Sequence, residues 1–342
     1  MAPGASIALR AQHVSRGLVA RPSSFSVVQS TMLGRTRRTI SISRTTPAAV
    51  ATQHITNSTT TPKDPPNFSP EFTYGAYQET GTRPVKRIRY PKFQSLESER
   101  AFRKLHHAAA LRWLGYQGYN NEGAGGHVTV RDPVLPDHFW INPHGKSFSY
   151  MTPDDLVLMN PKGEVVEGGN MHSVNPAGWV IHSAVHEARP DVVAAVHCHS
   201  VPSKAFSALG CHLEPINQDA CRFYKDHGIY SGFGGIAFIG PLTTSPPSPG
   251  EQKADEGHHI AAALGNTKGV ILQNHGHLTV AKTVDGAAFL FGAMDRCIQA
   301  QLLADAACAG RGTKTIKVAH EEAEYSRNVY NDEMVYIMFQ SA

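Results

Sequence analysis

Hydrophobic positions recur with a regular period along this chain only from about residue 95 onward. Spacings of three and four residues, which place side chains on one helical face, predict the main helices. Their expected starts are Ser95, Asn175-Pro176, Glu251 and Thr283 or Asp285. Ser95, Asn175 and Thr283 are suitable caps for the first free backbone amides, and Gly310 is expected to end the last long helix.

The apolar positions also assign a buried face to each helix. In the first helix Phe102, Leu105, Ala109 and Trp113 share one face and are predicted to pack on the core. In the second helix His182 and His186 lie one turn apart on a different face from the apolar stripe. The rest of the pattern predicts short helices at Ser203–Leu209 and Glu321–Asn331.

Short runs rich in β-branched and aromatic residues predict strands between these helices. The clearest run is Asp191–His199, which follows Arg189-Pro190 and is predicted to form a buried strand. The other predicted strands are the alternating run between the glycine loop at Gly123–Gly126 and Pro133, and Phe139–Pro143, Leu156–Met159, Glu164–Val166, Gly269–Gln273 and Leu278–Ala281. The glycine loop either lets the backbone approach a ligand or only forms a turn. A helix that leads directly into the buried strand predicts a helix-covered sheet, with His197 and His199 at its edge.

The histidine pair at the end of this strand is the strongest chemical signal in the chain. Side chains alternate along a strand, so His197 and His199 point to one face and Cys198 to the other. Two neighbouring imidazoles can bind one divalent metal, although a hydrogen-bonded, inert strand end has the same pattern. His275, in a turn between two predicted strands, supplies the third imidazole that a catalytic metal site needs, and this favours the metal.

Other histidines and a tyrosine are weaker candidates. The stretch Cys221–Tyr230 is predicted to be a loop, and Tyr224, His227 and Tyr230 in it can transfer protons, although such residues are often only surface or packing groups. His182 and His186 could bind metal, but the glutamate spacing of a zinc protease helix is missing, so one of them is interpreted as a support residue.

Composition narrows the class of protein. The 342 residues are 41% hydrophobic and 18% charged, which is typical of a soluble globular protein. No apolar run approaches the roughly 20 residues that a membrane span needs. The net charge of +4 comes largely from the first ninety residues, which argues against a nucleic-acid groove. Five cysteines at scattered spacings do not predict a disulfide framework.

Residues 1–66 have the composition of a segment outside the folded domain. They are rich in arginine, serine and threonine, and the first acidic residue is Asp64. This composition is typical of an organelle presequence, most simply a mitochondrial one, and the alternative is an unstructured basic tail on a cytoplasmic protein. Residues 67–94 are expected to form a linker or arm, and residues 95–335 the folded domain.

Taken together, these motifs resemble the class II aldolase/adducin family. The resemblance covers about Leu96–Ala309, and its most specific parts are Ala188-Arg189-Pro190-Asp191 before Val196-His197-Cys198-His199, and Gln273-Asn274-His275-Gly276. It implies a three-layer α/β/α domain around a mainly antiparallel sheet. It also implies a homo-oligomer, usually a tetramer, with the site near a subunit interface.

The resemblance implies roles for the histidines as well. In the family, the residues matching His197, His199 and His275 bind Zn²⁺ or another divalent metal. The metal holds a hydroxyl and a carbonyl of a small-molecule substrate and stabilises an enediolate. This agrees with the ability of a Lewis acid to stabilise negative charge that develops on oxygen.

The chain departs from the sugar-phosphate aldolases at several positions. Those enzymes carry a catalytic glutamate four residues before the position of His182, where this chain has Gly178. Their phosphate-binding residues match His127, His144 and Pro176-Ala177 here. A non-phosphorylated substrate is therefore expected, as in the adducin-like branch. Another residue must transfer the proton in place of the absent glutamate. His144, His227 and Tyr230 are the predicted catalytic residues, and His127 and Glu122 are further candidates.

Three functions fit these residues. The first is a metal-dependent lyase, an aldolase or a decarboxylase, that acts on a hydroxy-carbonyl compound. The second is a non-catalytic oligomerising module like the adducin head, although the long basic tail of adducin has no counterpart in this sequence. The third is a metal-dependent epimerase, which would use the same site.

Overall fold

The computed structural model describes residues 88–121, 123, 125–170, 173–232 and 249–342. The predicted presequence or tail at 1–66 lies outside these residues, and so do Glu122 and most of the predicted linker at 67–94. Near the start of the described part, the rings of Tyr90 and Phe93 pack edge-on against each other, and both pack against Phe102 of the first helix.

A single eight-stranded sheet forms the centre of the described chain. The strands are β1 His127–Arg131, β2 Phe139–Ile141, β3 Val157–Met159, β4 Val165–Glu167, β5 Ala194–Cys198, β6 His227–Tyr230, β7 Gly269–Leu272 and β8 Gly276–Ala281. Their order across the sheet is β4-β3-β2-β1-β5-β8-β7-β6, and the β6–β7 pair alone is parallel. The prediction of a mainly antiparallel sheet is confirmed.

Helices cover both faces of this sheet. They are α1 Leu96–Tyr116, α2 Pro176–Ala188, α3 Val201–Ser207, α4 Pro249–Leu264, α5 Val284–Arg311, α6 His320–Val329 and α7 Asp332–Phe339. Residues of α1, α3, α5 and α7 share one buried cluster with one face of the sheet, whereas residues of α2 and α4 form a second cluster on the other face. The three-layer α/β/α fold is therefore confirmed.

The helix boundaries follow the capping signals. The Ser95 hydroxyl accepts from the amide of Ser98, and the Thr283 hydroxyl accepts from the amide of Gly286. Helix α5 ends at Gly312, whose φ of 65° is left-handed and favours glycine, so the predicted stop at Gly310 is two residues early. Helix α7, which the sequence pattern did not predict, continues beyond residue 335 to Phe339.

The predicted buried face of α1 is only partly correct, because Trp113 packs against the core but two of the other residues do not. Leu105 and Ala109 are exposed, whereas Ala110, Leu111 and Leu114 are fully buried. The helix is turned so that His107, also buried, can bond through Nε2 to the carbonyl of Val128, 3.0 Å away on β1. The face of α1 that packs on the core thus combines Ala110, Leu111 and Leu114 with one hydrogen-bonded histidine.

The predicted loop at Cys221–Tyr230 is also wrong. A short 3₁₀ helix at Ala220–Phe223 leads into β6, which pairs in parallel with β7. Half of this short strand is glycine and histidine, residues that do not indicate a strand on their own.

None of the helices in the described residues has the combination of length and apolar character needed to cross a membrane. All five cysteines carry free thiols, in agreement with the expectation that the chain lacks a disulfide framework.

Candidate metal centre

Three imidazoles that are far apart in sequence converge at one edge of the sheet. The ring centroids of His197, His199 and His275 lie 4.7 to 5.0 Å from one another. One nitrogen of each ring can be chosen so that all three lie within 4.8 Å of one another. A ligating nitrogen lies about 2 Å from a bound zinc ion, so this spacing suits a shared cation after small side-chain adjustments.

Strand register explains why these residues meet. Strand β8 pairs with β5 so that His277 lies opposite Cys198. The turn between β7 and β8 therefore projects beyond the end of β5, and His275 in this turn meets His199. Asn274, just before it, has a φ of 58°, a left-handed conformation that asparagine tolerates better than most residues.

His197 is oriented by the backbone and is almost completely buried. Its Nδ1 lies 2.9 Å from the carbonyl oxygen of His277, so this nitrogen donates and Nε2 keeps its lone pair. No described residue bonds to the buried Nε2. Burial, reinforced by His275 and the other nearby imidazoles, holds the pKa of His197 well below its ordinary value.

The other two imidazoles are more accessible. His199 Nε2 lies 3.0 Å from His275 Nε2. Burial and the neighbouring His199 lower the pKa of His275 to about 4. His275 and His197 are therefore neutral near pH 7, which is the protonation state that a metal ligand requires.

The glycine-rich loop before β1 closes one side of this centre. A side chain at Gly125 would approach His199 Nδ1 to 3.2 Å. Gly126 has a φ of 103° and lies against the His197 carbonyl and the Cys198 thiol. The loop was expected to let the backbone approach a ligand, and in the structure its glycines let it approach the strand that carries His197.

A second group of histidines lies behind the metal candidates on helix α2. His182 Nδ1 and His186 Nε2 lie 2.7 and 2.8 Å from the hydroxyl of Thr129 on β1. A hydroxyl can donate one hydrogen bond and accept another, so Thr129 serves both rings. These two histidines are buried supports that join α2 to the sheet.

The three predicted catalytic residues lie in different places. His144 is exposed in the loop after β2, and it is one of several imidazoles that contribute to the lowered pKa of His127 on β1. Tyr230 ends β6 at the same sheet edge as the turn that carries His275, with Leu272 as its strand partner. Since β5 and β6 are three strands apart, Tyr230 is about 14 Å to the side of His197.

His227 lies away from the metal candidates, so the structure does not support a shared site within one chain. It begins β6 at the opposite sheet edge, paired with Gly269. Its Nδ1 donates to the Phe223 carbonyl at 2.8 Å, and its Nε2 accepts from the amide of Leu213 at 3.1 Å. Both nitrogens are thus engaged in fixing the chain around β6. Because the sequence predicted a loop here, the distance between His227 and the metal candidates could not be foreseen. Strand β6 places His227 and Tyr230 at opposite ends.

A polar group that sequence reasoning missed lies on the other side of His199. Asp295 of α5 is buried and accepts hydrogen bonds from Ser200 and Tyr119. Burial raises the pKa of its carboxyl group. The same region contains a cavity of about 410 Å³ that His199, Asp295 and Arg296 border. A lone aspartate in the middle of a long helix gives no motif from which this position could be predicted.

Comparison with known proteins identifies the family. Residues 106–302 match the model of the Class II Aldolase and Adducin N-terminal domain. The chain belongs to this family.

Two curated relatives of this class II aldolase/adducin domain have unrelated names, and one of these names states an activity. The chain is 40% identical over 257 residues to the Meiotically up-regulated gene 14 protein of Schizosaccharomyces pombe, covering 74% of this chain and 94% of that protein. It is also 40% identical over 218 residues to Decarboxylase NovR of Streptomyces niveus, covering 64% of this chain and 75% of that protein.

A solved structure of the same family shares the fold. L-fuculose 1-phosphate aldolase from Glaciozyma antarctica PI12 superimposes with a TM-score of 0.64 at 38% identity, over 74% of this chain and 91% of that chain. The prediction of the class II aldolase/adducin family and of its fold is therefore confirmed.

One feature of this class II aldolase/adducin domain explains the glycine at position 178. A Cβ atom at Gly178 would collide with three atoms of the His127 ring. That ring is stacked against His197 at 5.4 Å, and its Nε2 lies 3.3 Å from the Asn175 side-chain nitrogen. The imidazole of His127 thus fills the space that a side chain at position 178 would need.

Proposed function

We propose that this protein is a divalent-metal-dependent lyase, of the aldolase or decarboxylase type, acting on a small hydroxy-carbonyl compound without a phosphate group. The observation that carries the proposal is the convergence of His197, His199 and His275 at one sheet edge. Family membership supports the same chemistry, because the family includes aldolases and a relative named as a decarboxylase.

The residues present fit a divalent cation. Neutral imidazole nitrogens are good ligands for zinc, and the pKa values of His197 and His275 are lowered. The buried His197 Nε2 lacks a hydrogen bond to any described residue, and a cation would satisfy it. A bound cation would supply a Lewis acid that stabilises negative charge developing on substrate oxygen atoms.

The remaining contribution of the chain is orientation. The carbonyl of His277 fixes the tautomer of His197 and directs Nε2 to the shared position. The ring of His127 packs on His197 and limits its rotation. The accessible side of His199 faces the cavity of about 410 Å³, which is large enough for a compound of a few carbon atoms.

The first test is metal content. Purified protein is expected to hold about one divalent ion per chain, and His197→Ala is expected to abolish binding because it removes the most buried ligand. His258→Ala is the matched control, since His258 is exposed on α4. Full metal occupancy in His197→Ala, measured by elemental analysis of folded protein, would refute the metal assignment.

The second test concerns the substrate. Zn²⁺-loaded protein is expected to cleave or decarboxylate non-phosphorylated hydroxy-ketones or hydroxy-acids, and to process sugar phosphates poorly because His144 and Gly178 replace phosphate-site and catalytic positions. The name of the structural relative from Glaciozyma antarctica favours the opposite result. Efficient cleavage of fuculose 1-phosphate, measured by product formation, would contradict this part of the proposal.

Two alternatives share the same residues. A non-catalytic assembly module is favoured by the adducin part of the family and by the absence of a side chain at Gly178. An epimerase would return the substrate skeleton intact. Metal-loaded protein that binds hydroxy-ketones without converting them would favour the module, and inversion without cleavage would favour the epimerase.

We also propose a homo-oligomer, a tetramer by resemblance to the family, with the site near a subunit interface. Exposed apolar residues at Tyr116, Tyr150 and Val201 leave surface for such contacts. Sedimentation of the purified chain at micromolar concentration is expected to give a mass near four chains, and a monomer would contradict this.

A further inference from the structure

The cavity beside the metal centre has a distinct polar lining. Its walls come from the turn after α1, the first residues of α3 and one side of α5, and His199 forms the border with the metal candidates. Neutral amides of Gln117, Asn121 and Gln299 face it together with Arg296. His199, one of the three metal candidates, and Arg296 therefore line the same cavity.

Arg296 is available to bind a ligand. Its side chain is exposed, and no described residue forms a hydrogen bond or an ion pair with its guanidinium group. The nearest acidic side chain in the cavity, Asp295, is turned inward and is occupied by Ser200 and Tyr119. Among the described residues that line this cavity, Arg296 is the one with a permanent positive charge.

A neighbouring arginine shows the contrast. Arg222 lines a second cavity of about 520 Å³, which Arg296 also borders. The guanidinium of Arg222 is buried, lies 4.1 Å from the centre of the Tyr330 ring and bonds to Asp219 at 3.1 Å. Arg222 is thus engaged in packing, whereas Arg296 has its five N–H donors available.

We propose that Arg296 binds a carboxylate group of the substrate, which makes the substrate a hydroxy-carbonyl acid. This inference rests on the proposed function, in which the hydroxy-carbonyl end of the substrate binds the metal. A carboxylate presents two oxygens that match the planar guanidinium fork. A phosphate dianion is less suited, because the described lining offers a single arginine and no lysine to balance its second charge.

Binding of matched small molecules tests this assignment. The full chain, loaded with Zn²⁺, is titrated calorimetrically with hydroxypyruvate and with dihydroxyacetone, which share the hydroxy-ketone but differ in the carboxylate. Hydroxypyruvate is expected to bind at least about tenfold more tightly, the range for a hydrogen bond between two charged groups. Arg296→Gln is expected to remove most of this difference and leave zinc content unchanged.

Two further variants make the result specific. Arg296→Lys is expected to keep part of the preference, because it keeps the charge but loses the fork. Arg311→Gln, an exposed arginine in the last turn of the same helix, is expected to change nothing. Both are surface substitutions, so their folding is not in question.

The outcomes separate this inference from the proposed function. Equal affinity of wild-type protein for the two compounds, or a preference that survives in Arg296→Gln, overturns the carboxylate assignment even if zinc is bound and turnover occurs. Tighter, Arg296-dependent binding of dihydroxyacetone phosphate than of hydroxypyruvate overturns it in favour of a phosphate subsite. An Arg296-dependent preference without any turnover supports the subsite while the lyase proposal fails.

Discussion

At the scale of single residues, the contact between Gly178 and His127 determines how the metal side of α2 is built. The helix approaches β1 so closely that the His127 ring occupies the position of a side chain at 178. His127 lies directly opposite His197 in the β1–β5 register, so any shift of its ring reaches a metal candidate. The absence of a side chain at 178 is therefore a packing requirement in this chain.

Gly178→Ala is expected to destabilise the protein by about 1–3 kcal/mol, although alanine is the better helix former, because the added methyl group collides with the His127 ring. Urea unfolding measures the change. The double variant His127→Ala/Gly178→Ala should cost less than the sum of the two single changes.

Gly310→Ala is the matched control for this prediction. Gly310 lies in α5, and a Cβ atom there would meet nothing within 4 Å. This substitution is expected to be neutral or to stabilise by up to about 1 kcal/mol. Equal effects of the Gly178 and Gly310 substitutions would contradict the packing argument.

The metal candidates could be predicted from the sequence, and Arg296 could not. Alternation along one strand places His197 and His199 on one face, and a turn between two apolar runs exposes His275, so local pattern is sufficient. The position of Arg296 depends on how α5 crosses the end of β5, which is a tertiary fact. The residues next to Arg296 in the sequence form no motif that would predict a cavity.

At the scale of elements, the hydroxyl of Thr129 is a buried polar link between β1 and α2. It serves two buried imidazoles whose remaining nitrogens, His182 Nε2 and His186 Nδ1, have no hydrogen bond to a described residue. Loss of the hydroxyl would leave further buried polar atoms without partners. Such atoms are costly because burial removes the water that would otherwise bond to them.

Thr129→Val keeps the shape of the side chain and removes the hydroxyl, so it is expected to cost about 2–5 kcal/mol for the two lost hydrogen bonds. Thr129→Ser, which keeps the hydroxyl, is expected to cost clearly less. The free energies of unfolding in urea give the comparison. Similar losses in both variants would show that the methyl group, not the hydroxyl, is what matters.

The elements themselves were predicted with uneven success. Caps at Ser95, Asn175 and Thr283 fixed helix starts because the capping bond is local. Strand β6 was missed because its stability comes from pairing with β7 and from packing under α4, neither of which leaves a periodic pattern in His227–Tyr230. The face of α1 was partly misassigned because Leu111 and Leu114, which lie beside the predicted stripe, are the residues that pack in the core.

At the scale of the whole molecule, the interior contains an unusual number of neutral imidazoles. His107, His182 and His186 are buried, and desolvation lowers the pKa of each to about 3. In the unfolded chain the same groups take up protons near pH 6.5. Between these values the unfolded state binds more protons, so stability is full above about pH 6.5 and falls as the pH decreases towards 3.

The chain is accordingly expected to unfold in mild acid. Each of these histidines contributes a loss of about 1.4 kcal/mol per pH unit below 6.5, so the three together lose about 8 kcal/mol by pH 4.5, which is comparable with a typical total stability of about 5–15 kcal/mol. Urea unfolding of chelator-treated protein at pH 7, 6 and 5 measures the slope without interference from metal release. A free energy of unfolding that is constant from pH 7 to 5 would refute the prediction.

The long separation between the metal candidates has a consequence for the time course of folding. His199 and His275 are 76 residues apart and come together only through the β5–β8 pairing. Contacts between segments so distant in sequence form late, because a long loop must close first. Before β5 and β8 pair, only His197 and His199 are close enough to share a cation. Binding by all three histidines therefore requires that pairing. Under the metal proposal, the time course of zinc uptake during refolding is therefore expected to follow the completion of the β5–β8 pairing.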